Sequence, residues 1–137
     1  MSVPVRLAVL ASGSGSNAVA ILRHFQFSKD VEVAFVGCNH PSDKAAIYER
    51  TRPYGLETEF FSTQDLNEGQ LLNTLRERKI GWVALAGFLV RIPLDFVHAF
   101  ADRMLNVHPS LLPKFGGKGM FGMNVHKAVI EAGESES

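Results

Sequence analysis

Apolar residues along this chain fall into two alternating rhythms. Residues 5–11 (VRLAVLA), 31–38 (VEVAFVGC) and 81–86 (GWVALA) are short and nearly unbroken apolar runs. Runs of that length, rich in branched aliphatic residues, predict strands covered on both faces. Residues 57–61 and 103–108 form two shorter runs of the same kind. Between the runs, apolar residues recur at helical spacing, which predicts helices over 17–25, 42–52, 65–79, 93–101 and 124–132. Ser16 or Asn17 is placed to cap the first helix, and Pro53 with Gly55 to close the second. The third helix carries Leu66, Leu71, Leu72 and Leu75 on its buried side, and the fourth begins with Pro93 in its first turn. Gly133 ends the last.

Strands alternating with helices predict an α/β fold of Rossmann-like type: a mostly parallel sheet with helices on both faces. The chain reads as one domain over residues 1–137, with no repeat, low-complexity stretch or linker. Ligands of such sheets sit outside the carboxyl ends of the strands, where strand order reverses. The predicted strand ends are Ser12-Gly13, Asn39-His40, Gly87-Phe88 and Asn106 to His108. All are small, polar or glycine-rich, so the chemistry is expected along one edge.

Composition narrows the function classes. Lys plus Arg and Asp plus Glu number 14 each, which leaves no electrostatic footprint for nucleic acid or an anionic membrane. No apolar run reaches the length of a membrane span or follows a basic leader, and the single cysteine, Cys38, forms no internal disulfide. Cys38 reads as a small buried hydrophobe. A cytoplasmic setting is the expectation. The five histidines are scattered, without the paired ligands a metal needs, so no metal is expected.

Two stretches carry candidate chemistry. Gly13-x-Gly15-x-x-Ala18 follows a predicted strand and opens a predicted helix, as the alanine-ended dinucleotide fingerprint does. Glycines admit close backbone approach, and helix N–H groups favour an anion. The same spacing also serves a bare strand-to-helix turn. The acidic residue that a dinucleotide's ribose needs is absent at the second strand end, Gly37-Cys38-Asn39-His40-Pro41, so a single phosphate fits better. Farther on, Asn106 and His108 are two residues apart at a strand end and so project to one face. A carboxamide and an imidazole there either form a working pair, stabilising a carbonyl oxygen under attack while a proton moves, or mark a strand end meeting water.

ASGSGSN at 11–17, LAGF at 85–88 and LNVHPSLLPKFGGKG from Leu105 occur in this order. Together they resemble the phosphoribosylglycinamide formyltransferase branch of the folate-dependent formyltransferases, over nearly the whole chain. The resemblance implies that Gly15, Ser16 and Asn17 bind a substrate phosphate. It implies that Leu89, Val90, Arg91 and Ile92, with Asn106, hold the co-substrate 10-formyltetrahydrofolate, and that Asn106 and His108 are catalytic. The amine of glycinamide ribonucleotide would attack the formyl carbon, a step of purine biosynthesis. Partners implied are this small molecule and, at the level of assembly, a homodimer, with neither nucleic acid nor membrane. The family's third catalytic residue, an aspartate, falls in a segment after the point where this sequence ends, as do later strands and part of the cofactor pocket. No carboxylate here matches it, so the sequence is expected to be part of a longer enzyme. The alternative is a phosphate- or nucleotide-binding module without catalysis.

Overall fold

Five strands lie side by side: β1 (Val5–Ala11), β2 (Val31–Cys38), β3 (Thr58–Phe60), β4 (Trp82–Ala86) and β5 (Met104–Val107). Their order is β3-β2-β1-β4-β5 and every pairing is parallel. This is a computed structural model that describes residues 3–107. The chain runs outward from β1 to β3, then returns to the other side of β1 for β4 and β5. Parallel crossovers are right-handed, so this reversal must send the two sets of connections to opposite faces.

The packing follows that rule. Helix α1 (Ser16–Phe25) and the short α2 (Ile47–Thr51) bury Ala18, Ile21, Leu22 and Ile47 with Leu7, Val9, Ala11 and Val36. Helices α3 (Thr63–Asn67), α4 (Gln70–Glu77) and α5 (Leu94–Ala99) bury Leu66, Leu71, Leu72, Leu75 and Phe96 with Ala8, Leu10, Phe35 and Val83. Alternate residues of β1 therefore enter two different cores. That is why its sequence is apolar from Leu7 to Ala11, where neither face meets water.

Three helices differ from what periodicity predicts. The expected helix over 42–52 is only Ile47–Thr51, continued by a 3₁₀ turn at Arg52–Tyr54. Lys44 N–H bonds to Pro41 C=O at 2.9 Å, a tight turn that uses up the residues where the helix was expected to start. The helix expected over 65–79 is two helices, α3 and α4, because Gly69 turns the chain with φ 90°. Its start also lies earlier: Ser62 and Asp65 form a reciprocal capping box, with Asp65 N–H to Ser62 Oγ at 3.0 Å and Ser62 N–H to Asp65 Oδ2 at 2.9 Å. At α5, Pro93 is the cap rather than a helical residue, and the helix stops at Ala99. The helix expected over 124–132 lies outside the described residues.

Candidate active site

β1 ends at Ala11, and the next residue, Ser12, is 3% exposed. Gly13 and Ser14 are exposed, and Gly15 then starts α1 in the left-handed conformation with φ 82°. Gly15 is the cap of this helix, where Ser16 or Asn17 was expected, and no side chain caps it. The reason is contact with α2. A Cβ on Gly15 would lie 2.7 Å from Ile47 Cβ and 2.9 Å from its Cα, so only glycine fits. Val19 N–H bonds to Gly15 C=O at 2.8 Å, which leaves the N–H groups before it without an intrahelical acceptor. The first turn of α1 carries no acidic residue. Ser16 N–H reaches Ser14 Oγ at 3.5 Å, and the other first-turn N–H groups with the positive end of the helix dipole suit this turn to an anion.

The loop that leaves β4 crosses to this turn. Ser12 Oγ accepts the backbone N–H of Leu89 at 2.9 Å, across 77 residues of chain. Gly87 has φ 68°, and a Cβ there would stand 3.2 Å from Asn17 Nδ2. The glycine turn and the segment after LAGF are thus brought together at the point where strand order reverses, between β1 and β4. Within that segment the side chains diverge. Phe88, Val90 and Ile92 pack on the core under α3 to α5, whereas Leu89 is 87% exposed and Arg91 is exposed.

Asn106 stands one strand over, opposite Leu85 in the β4–β5 register and half-buried. Met104 enters the core beneath α3 to α5 and Val107 the opposite one, so strand alternation puts Asn106 on the α3–α5 side. With strands about 5 Å apart, the end of β5 is roughly 10 Å from the end of β1, within the span of one small ligand. His108 lies outside the described residues.

The β2 end borders the turn from the other side. Cys38 is the register partner of Ala11, and Asn39 follows it. Tyr48 Oη donates to His40 C=O at 2.6 Å, and His40 N–H to Cys38 Sγ at 3.4 Å, which braces this corner. Burial pushes the Cys38 thiol up, away from thiolate. Burial, with Cys38 beside it, also pushes the Tyr48 phenol up to about 12. Asn17 and Asn39 each bury an Oδ1 that has no hydrogen-bond partner among the described residues. Among those residues no group of three His, Cys, Asp or Glu side chains gathers as a metal would require, and no helix is long and apolar enough to cross a membrane. What sequence reasoning missed is the pinning role of Ser12. Its position at the first strand end was visible, but nothing local pointed to Leu89.

A formyl transferase family profile matches residues 5–137. The chain is 38% identical over 135 residues to a chloroplastic phosphoribosylglycinamide formyltransferase of Arabidopsis thaliana, covering 93% of this chain and 46% of that protein. It is 33% identical over 142 residues to a trifunctional purine biosynthetic protein of Drosophila pseudoobscura pseudoobscura, covering 96% of this chain and 10% of that one. Among solved structures, a glycinamide ribonucleotide transformylase from Geobacillus kaustophilus superposes with a TM-score of 0.68 at 36% identity, over 82% of this chain and 62% of the other. The chain spans less than half the length of these two curated relatives.

Proposed function

This chain belongs to the formyl transferase family, and we propose that the protein it represents transfers a formyl group from 10-formyltetrahydrofolate to the amine of glycinamide ribonucleotide. The observation that carries this reading is the meeting of the glycine turn with the β4 exit loop, through Ser12 and Leu89, beside the strand that bears Asn106. A phosphorylated amine and an acyl donor need two adjacent cradles with a polar pair between them. The relatives at 38% and 36% identity carry names of that activity, which supports the same choice.

In this reading the backbone N–H groups of Gly15, Ser16 and Asn17 hold the substrate phosphate. Leu89, Val90, Arg91 and Ile92 hold the pterin end of the folate, which supplies the formyl carbon. The fit rests on what that segment presents: a nearly bare Leu89 side chain, and a main chain fixed in place by Ser12. Asn106 donates an amide N–H to the formyl oxygen as charge grows there, and His108 supplies and receives the proton. No metal enters this scheme.

The test is an assay of formyl transfer between these two substrates by the protein. Turnover that depends on His108 and Asn106 is the expected result. Saturable binding of the ribonucleotide with no transfer would leave only a phosphate-binding module.

A further inference from the structure

Helix α1 and the α2–3₁₀ segment enclose an open cleft of about 490 Å³, lined by Ser16, Val19, Ala20, Arg23, Arg50, Pro53 and Tyr54. Ser16, Val19, Ala20 and Arg23 are spaced i, i+3, i+4 and i+7, so one face of α1 forms its floor. We propose that this cleft is a second anion site, contiguous with the glycine turn through Ser16, that takes the phosphates of a small phosphorylated ligand.

Its polar lining is one-sided in chemistry. Two guanidinium groups and two hydroxyls face it, and no carboxylate does. Among the described residues neither Arg23 nor Arg50 has an acidic partner; the ion pairs there are Arg6 with Glu32 and Arg78 with Glu59. In a chain with 14 basic and 14 acidic residues, two unneutralised arginines across one cleft are a local excess of positive charge. Arg23 Nε donates to Tyr54 Oη at 3.4 Å, which holds one guanidinium against the opposite wall before any ligand arrives. The Ser16 and Arg23 backbones are roughly 10 Å apart, seven residues of helical rise. A phosphate at the glycine turn therefore does not fill the arginine end, which has room for a second group. Planar, forked guanidinium groups match phosphate oxygens in pairs. Val19, Ala20, Pro53 and the Tyr54 ring give the same cleft an apolar wall that a nucleoside can use.

Calorimetric titration of the protein with inorganic pyrophosphate tests the site, and titration with ADP distinguishes a nucleotide occupant from free polyphosphate. Saturable pyrophosphate binding is expected, weakened about tenfold or more in Arg23→Gln/Arg50→Gln, with inorganic phosphate binding at the glycine turn unchanged. ADP binding tighter than pyrophosphate, and lost in the same variant, identifies the nucleotide; equal binding identifies the phosphates alone. Both arginines are exposed, and Arg50 makes no side-chain hydrogen bond among the described residues, so Arg50→Glu serves as a second variant with the fold intact. The site is refuted by absence of saturation in the wild-type protein. It is equally refuted by pyrophosphate affinity that survives both variants. Its failure would leave the formyl-transfer reading untouched.

Discussion

The hydroxyl of Ser12, at the end of β1, holds the main chain of Leu89, beyond the end of β4, through a 2.9 Å hydrogen bond. Ser12 is almost wholly buried, and Leu89 is the exposed partner. Two cradles assigned to two different substrates are coupled by this one contact. Any ligand seated on the 89–92 segment depends on where β1 ends.

Ser12→Ala removes the acceptor and leaves the Leu89 N–H unpaired. A loss of about 0.5–1.5 kcal/mol in unfolding free energy is expected, the net worth of one hydrogen bond, since Leu89 is largely exposed and water can take its N–H. The KM for the folate should rise more than the KM for the phosphorylated amine, because in the proposed reading the released segment holds the folate. Equal rises in both would show that Ser12 supports the edge of the sheet in general and not this segment.

Gly15→Ala faces two obstacles at once. Its φ of 82° disfavours any side chain, and the new Cβ would meet both Cβ and Cα of Ile47 within 3 Å. Trimming Ile47 cannot relieve a clash with its own Cα. The variant is expected to lose about 2 kcal/mol or more in denaturant unfolding, and its phosphate affinity should fall with the turn's geometry. A variant as stable as the parent would mean that α2 can draw back from α1.

Gly15 and Gly69, the glycines at two helix starts, show where the sequence was legible and where it was not. The strands β1 and β2 are found at the residues their apolar runs predicted, because burial on both faces shows in their apolar C-terminal halves. Which residue of SGSGSN would turn left-handed was not readable, since it is fixed by Ile47, more than 30 positions away. Gly69 broke an otherwise periodic helix with no such contact, because periodicity reports which side is buried and is blind to a single φ. At the site, the motifs singled out strand ends, and two of those ends, at β1 and β4, are brought together. The Ser12–Leu89 bond joins residues 77 apart and leaves no periodic trace. His108, the residue on which the sequence reading leaned most, lies outside the described residues.

Catalysis is tested at β5. Asn106→Ala is expected to lower kcat about 100-fold or more, the weight of one donor to a developing oxyanion, with little change in melting temperature because the side chain is only half-buried. His108→Ala should fall by about 100-fold or more as well. If the two act on the same transition state, the double variant loses less than the product of the single losses. Undiminished turnover in His108→Ala would remove the imidazole from the mechanism.

Alkaline pH reads the corner beside the site. The Tyr48 phenol ionises at an ordinary value of 10.0 when free and at about 12 in the fold, raised mainly by burial and then by Cys38 next to it. A group with a raised folded value contributes stability that is complete below pH 10 and is lost as pH climbs through 12, because the unfolded chain gives up the proton first. Denaturation midpoints should therefore fall between pH 10 and 12. Tyr48→Phe should flatten that fall while lowering stability at neutral pH, since the 2.6 Å bond to His40 C=O disappears. A fall of the same steepness in Tyr48→Phe would assign the alkaline loss to other groups and leave the phenol without a part in it.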